Sequence, residues 1–153
     1  MVVLTVQLHY NPFMKPLPHE LCYCHAARGS ARFLSRLYDR HLASTGINIQ
    51  QLTILSVILH AHGIRIVDLA EQMVMERTTL VRALKPLQEA GYVDSEPSGT
   101  RRSLVLRVSQ LGLQKVLEAS PLWINAQREV ESLFGKERAK NLRKVLQEAS
   151  TLR

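Results

Sequence analysis

The sequence predicts a mainly α-helical fold with one small β-hairpin, and three observations carry that prediction. First, residues 66–90 read as two short helices joined by a tight connection. Leu69, Ala70 and Met73 recur at helical spacing in the first, and Leu80, Leu84 and Leu87, with Ala83, form one apolar stripe on the second. Second, Tyr92-Val93 starts a strand, the polar turn SEPSGTRR follows with Pro97 and Gly99, and Leu104, Leu106 and Val108 alternate as a returning strand. Third, apolar helical periodicity runs on to either side of this block, from His19 onward and again after Gly112. Helix, turn, helix and hairpin in that order make a winged helix-turn-helix, flanked here by helices from both chain ends.

Residues 1–18 carry Pro12, Pro16 and Pro18 and show no sustained period, so they read as an extended arm. Residues 19–48 are expected to hold a first helix from about His19 to Ala43, ended by Gly46, that serves dimerisation. Asn48 with Gln51 three residues on has the pattern of a capping box, opening a second helix from Ile49 to about His62. That helix carries Leu52, Ile54, Leu55, Ile58 and Leu59, an apolar face wide enough to imply burial, and Gly63 stops it. The DNA-binding unit is expected over 49–111. Its two paired helices run roughly from Val67 to Met73 and from Glu76 to Ala90, with Gly91 suited to the left-handed position after the second. Pro86 costs about 3 kcal/mol in a helix interior and predicts a bend near the C-terminal end of that helix. Residues 112–153 predict two more helices: one to about Phe134, bent at Pro121, then after Gly135 a last one with Leu142, Val145, Leu146, Ala149 and Leu152 on a stripe. The helices at the two chain ends carry more apolar face than a small winged domain covers, which implies an interface with a second copy.

The polar face of the second paired helix holds the candidate chemistry. Thr78, Thr79, Arg82 and Lys85 fall opposite the leucine stripe. Hydroxyls and amides at a helix N-terminus take phosphate oxygens, and an arginine one turn later reaches base edges in a major groove. A solvated face gives the same pattern on a lone helix. Here, though, a hairpin with Arg101 and Arg102 near its tip follows directly, which favours double-stranded DNA, with the arginines at the minor groove or backbone. A net charge of +7 suits the same polyanionic partner.

Hydrophobic content of 46% and charged content of 22% are ordinary for a globular chain. No apolar run reaches the length of a membrane span and the start lacks a signal-peptide pattern, so the expected location is the cytoplasm, with no membrane partner. Among motifs for catalysis, no Ser-His-Asp, HExxH, phosphate-loop or paired-carboxylate arrangement stands out. Neither an enzyme nor a cofactor is expected.

On these residues the chain resembles the MarR family of bacterial transcription regulators. The matching residues are Asp68-Leu69-Ala70-Glu71, Arg77-Thr78-Thr79-Leu80 with Arg82 and Leu84, Gly91-Tyr92-Val93, and Arg101-Arg102-Ser103 to Val108-Ser109 with Gly112. The family's wing usually carries Asp-x-Arg; Thr100 stands at the acid's place and Arg102 keeps the arginine. The resemblance implies a homodimer joined through both chain ends that binds an inverted-repeat operator, usually as a repressor. It also implies release by a small aromatic or phenolic ligand bound between the dimer helices and the winged domain. Helix position puts Arg32, Arg36, Tyr38 and His41 near that junction.

Cys22 and Cys24, with His19 and His25 nearby, leave three readings open. Cysteine is among the most buried residue types, so two small core residues are the plain one. A redox-active thiol is the second, giving an alternative function as a thiol-based redox-sensing regulator. A metal site is the third, and no metal is expected: within a helix, residues two apart point to opposite sides, which hinders a shared ligand set or an intramolecular disulfide. A narrower resemblance, to the organic-peroxide-sensing branch of the family, rests on Leu21-Cys22-Tyr23 and on the spacing of Cys24 and Tyr38. That branch has tyrosines where this chain has Ile49 and Leu52. His60 and His62 close the second helix, where the helix dipole favours an imidazolium.

Overall fold

The computed structural model of the chain describes residues 18–97 and 104–151. The expected arm, up to residue 17, lies outside the described residues. The tip of the wing does too, and with it Arg101 and Arg102. The chain divides into two compact units, one up to Phe33 and one from Leu34 onward.

The first unit departs from the expected continuous helix. His19–Leu21 form a single 3-10 turn, Cys22 is extended (φ −81°, ψ 113°), and helix α1, Tyr23–Leu42, begins only at the next residue. Pro18 immediately before the turn and the extended backbone of Cys22 explain the break, because the α-helical ladder has no start until Ala26 N donates to Cys22 O at 3.0 Å.

In the second unit α1 ends at Leu42, and a 3-10 turn, Ala43–Thr45, leads to Gly46 in the left-handed region. Helix α2, Ile49–His60, opens with the predicted capping box: Gln51 N donates to Asn48 Oδ1 and Asn48 N donates to Gln51 Oε1, both at 2.9 Å. Asp39 adds a cap from α1, accepting from Ile49 N at 2.7 Å. As its composition requires, Leu52, Ile54, Leu55 and Ile58 are buried.

A two-residue strand β1, Ile64–Arg65, comes next, then α3, Ile66–Gln72, and α4, Arg77–Glu89. The helix α4 runs through Pro86, three residues before its last residue, Glu89. Its termination matches the pattern read at Gly91: Gly91 N donates to Gln88 O and Tyr92 N to Leu87 O, both at 2.9 Å, with Gly91 at φ 71°. Strands β2, Val93–Pro97, and β3, Leu104–Val108, form the hairpin, and Pro97 closes β2 rather than sitting in the turn. The expected two-stranded wing is in fact part of a three-stranded antiparallel sheet in the order β1-β3-β2, with Ile64 opposite Leu106 and Val93 opposite Val108. Two residues are too short a strand to show alternation in sequence.

Helices α5, Gln110–Phe134, and α6, Lys136–Thr151, complete the described chain. Ser109 caps α5, accepting from Gly112 N at 3.0 Å and donating to Gly91 O at 2.6 Å. That one side chain joins the end of the wing to the end of α4. One core cluster takes in Leu42, Leu52, Leu55, Leu69, Leu80, Leu84, Leu87, Leu106 and Ala119, so α2, α3, α4, β3 and α5 share it. In contrast, Leu117, Ile124 and Leu133 on α5 and Val145 and Leu146 on α6 stay exposed. Among the described residues no single helix is long and apolar enough to cross a membrane.

Candidate nucleic-acid interface

Helix α4 is held from behind and free in front. Leu80, Leu84 and Leu87 are at most 1% exposed, while Arg77, Thr78, Thr79, Arg82 and Lys85 are all exposed. At its N-terminus no side chain caps the helix, so the first backbone N–H groups keep their donor capacity toward solvent. Lys85 has Glu89 3.7 Å away on the same helix, an exposed pair of small energetic weight. Val81, on the same helix, is 46% exposed.

The helix is oriented by its neighbours. Arg65, at the start of α3, grips Asp68 with two bonds, Nε to Oδ2 at 2.6 Å and Nη2 to Oδ1 at 2.7 Å. The hydrogen bonds hold the Asp68 carboxyl below the usual carboxylate range and raise the Arg65 guanidinium further. In the turn from α3 to α4, Val74 adopts φ 51° and is 68% exposed, a strained placement for a β-branched residue. Gln88 Nε2 donates to Ser95 Oγ at 2.9 Å, tying α4 to β2.

The base of the wing is stiffened by a residue that sequence reading passed over. Arg107 Nε donates to Glu96 Oε2 at 3.0 Å across the hairpin, and its Nη1 donates to His62 O. One guanidinium thus fixes β3 to β2 and to the turn after α2. The only sequence signal for it is an arginine and a glutamate at diagonal strand positions.

The proposed ligand residues are not brought together. Arg32 belongs to the first unit and Arg36 is exposed on α1. His41 and Arg40 both bind Glu129 on α5, with Nε2 to Oε2 at 2.6 Å and Nη2 to Oε1 at 2.5 Å. Hydrogen bonds from Arg40, then His41, hold the Glu129 carboxyl below its usual range. Tyr38 lines a separate cavity of about 290 Å³ with Arg143 and Glu131, and burial raises its phenol. A larger cavity, about 660 Å³, lies between α2 and α5 and is lined by Leu52, Ser56, Val57, His60, Val116 and Trp123 among others. None of Arg32, Arg36, Tyr38 or His41 lines it. The opening of the larger cavity is made by α2 and α5.

The cysteine readings also shift. Both thiols are exposed, so the description of them as two buried core residues is corrected. The objection from helical spacing lapses as well, since Cys22 lies before α1 and Cys24 within its first turn. Cys22 Sγ accepts from His25 N at 3.5 Å, and the His19 and His25 rings meet edge-on at 5.6 Å. Among the described residues no group of three or more His, Cys, Asp or Glu is placed to hold a metal ion.

A packed helix pair, an exposed second helix and a three-stranded wing define a winged helix-turn-helix. The profile of the MarR family matches residues 45–102, the stretch from the end of the turn before α2 into the wing. The winged segment of the chain thus matches the MarR family. Among solved structures, the chain is similar to the Mycobacterium tuberculosis transcriptional regulator MosR in complex with DNA. That match has 29% identity over 86% of this chain and 99% of the other, with a TM-score of 0.72. A mutant Escherichia coli MarR complexed with operator DNA shares the fold at 19% identity, over 88% of this chain and 99% of that one, with a TM-score of 0.79. CouR from Rhodococcus jostii, bound to p-coumaroyl-CoA, shares it at 14% identity, over 89% and 96%, with a TM-score of 0.73. No curated protein matches the chain.

Proposed function

We propose that the chain acts as a homodimeric, sequence-specific DNA-binding regulator, a repressor of inverted-repeat operators that is released by a small-molecule effector. The observation that carries this reading is the exposed row Thr78, Thr79, Arg82 and Lys85 on a helix whose opposite face is locked into the core. In this reading α4 enters the major groove: the threonines and helix N-terminus take phosphates, Arg82 reads a base edge and Lys85 meets the backbone. Arg101 and Arg102 contact the minor groove or its phosphates. The exposed apolar residues of α5 and α6 supply the dimer surface, with residues 19–48 and 112–153 flanking the DNA-binding unit. The similarity to DNA-bound MosR supports the assignment. The effector is placed in the cavity between α2 and α5. Operator selection from a random DNA pool, followed by a salt titration of affinity, tests it. An inverted repeat with half-sites about one helical turn apart and a steep salt dependence is expected; a salt-independent interaction or no selected site refutes it.

A second reading makes the thiols the switch. It is favoured by the exposure of Cys22 and Cys24 and by the start of the helix between them. A thiol oxidised by a hydroperoxide to its sulfenic acid, with alcohol released, then condenses with a second thiol to a disulfide and water. Non-reducing electrophoresis after peroxide treatment, with operator binding measured alongside, decides it. Single Cys→Ser variants that respond as the native chain does would rule it out.

A further inference from the structure

At the base of the wing, the side chain of Arg107 on β3 joins two elements that are distant in sequence. Its Nε donates to Glu96 Oε2 on β2 at 3.0 Å, and its Nη1 donates to the backbone oxygen of His62, in the turn after α2. That turn is shaped for the contact. His62 has φ 52° and Gly63 φ 126°, two consecutive residues at positive φ, which L side chains rarely adopt. A Cβ at Gly63 would lie 3.1 Å from Arg107 Cζ and Nη1, and 3.1 Å from Val105 Cγ1. The side chain that glycine lacks thus leaves room for the guanidinium. Asp94 stands opposite Arg107 in the strand register, so a second acid shares its face of the hairpin. The pairing of Ile64 with Leu106 and of Arg65 with Val105 brings β1 alongside, directly after the same turn.

We infer that Arg107 is a positioning residue for DNA recognition: it presets the pitch of the wing against the turn after α2 and makes no DNA contact of its own. The inference rests on the operator-binding reading given above. An ion pair as exposed as Arg107 with Glu96 contributes little by itself. The bond to the backbone is different, because it ties the hairpin to a turn whose conformation Gly63 sets. A guanidinium holds several donors in a rigid fork and serves both partners at once, whereas an ammonium is a compact point charge. Without the fork, the wing has to be ordered at the moment of binding, and that entropy is subtracted from affinity. The effect of Glu96 then has a telling sign. Electrostatics alone makes a carboxylate beside a polyanion unfavourable, so its removal should tighten binding. The positioning role requires the opposite, since Arg107 loses a partner.

The test measures affinity for an inverted-repeat duplex recovered by selection with the native chain. Hydroxyl-radical cleavage reports the minor groove and dimethyl sulfate methylation the major groove. Arg107→Ala is expected to bind about fivefold to thirtyfold more weakly, losing minor-groove protection at the wing while keeping major-groove protection at α4. Glu96→Ala is expected to bind about twofold to fivefold more weakly, and the double variant no more weakly than Arg107→Ala alone. Arg107→Lys, which keeps the charge without the fork, should stay near the alanine variant. Melting curves accompany each variant; where Arg107→Ala does not fold, Glu96→Ala and Arg107→Lys carry the test. Glu96→Ala binding as tightly as the native chain, or more tightly, overturns the inference. So does native affinity in Arg107→Lys, or full minor-groove protection in Arg107→Ala, and these outcomes leave the operator-binding reading standing. If the native chain selects no duplex, or leaves the minor groove unprotected, the operator or wing reading itself falls, and the inference with it.

Discussion

Replacing Gly112 by alanine should break the joint between the wing and α5. A Cβ at Gly112 would lie 2.2 Å from Tyr92 O and 2.8 Å from Val108 Cγ1. The carbonyl cannot simply turn away, because Tyr92 O accepts from Ser109 N at 3.0 Å. The first turn of α5 must instead retreat by roughly an ångström to restore ordinary contact. That retreat strains the bond that Ser109 N donates to Tyr92 O and the cap that Gly112 N donates to Ser109 Oγ. Overpacking of this kind costs about 1–3 kcal/mol, and each lost hydrogen bond adds about 0.5–1.5 kcal/mol. With both bonds lost, a total of about 2–6 kcal/mol corresponds to a fall in melting temperature of about 4–24 °C for a domain of this size. Gly29, in α1, is the control: an added Cβ meets nothing within 4 Å, so Gly29→Ala should gain about 0.5–1 kcal/mol from helix propensity. Thermal unfolding of the two variants beside the native chain gives the answer. A Gly112→Ala protein that melts with the native one refutes the reasoning, because it would mean that α5 does not abut Tyr92 as described.

Three further outcomes follow from particular contacts. Val74→Asn should stabilise by about 1 kcal/mol, since asparagine tolerates the left-handed backbone that valine occupies under strain; an unchanged or lower urea midpoint counts against it. Glu129→Gln should cost stability at neutral pH and progressively less in acid. The carboxyl is held below its usual range by Arg40 and His41, so its contribution is full above the ordinary glutamate range and is lost as pH falls through the folded value. Urea midpoints of native and variant protein that keep a constant gap down to about pH 3 would contradict this. Arg82→Ala should cost about 1–3 kcal/mol of operator affinity and relax one base preference per half-site, whereas Lys85→Ala should weaken all sequences evenly; quantitative binding to operator variants separates the two patterns.

The readable parts of this fold are those in which one residue's chemistry sets local geometry. Asn48 and Gln51 announced a capping box, Gly91 announced the end of α4, and the Leu80-Leu84-Leu87 stripe announced which face is buried. Each depends on neighbours within a turn or two of helix. Most of what the sequence did not reveal involves partners distant in sequence. The strand β1 exists because β3 offers it a free edge through Leu106 and Val105. The role of Arg107 depends on Glu96 and on the carbonyl of His62, 45 residues away. The cavity arises where α2 and α5 diverge, which no spacing along α1 encodes. The break before α1 was legible in Pro18, but the apolar periodicity of the following residues masked it.

The same long-range contacts bear on how an effector in the proposed cavity would act on α4. Gln72, the last residue of α3, lines the cavity, and the turn to α4 follows at once. On the other side, Lys115 of α5 donates to Thr45 O at 2.9 Å and to Glu118 at 2.7 Å, and stands 5.9 Å from the centre of the Tyr92 ring. Helix α5 is therefore fixed to the connection before α2 and to the exit of α4, about two turns before Trp123 meets the cavity. Hydrogen bonds weaken steeply once stretched or misaligned, so a ligand that wedges Trp123 away from Ser56 meets resistance at Lys115 and Ser109. The softer side is the strained turn at Val74, and motion is expected there, which reorients α4 while its leucine face stays in the core.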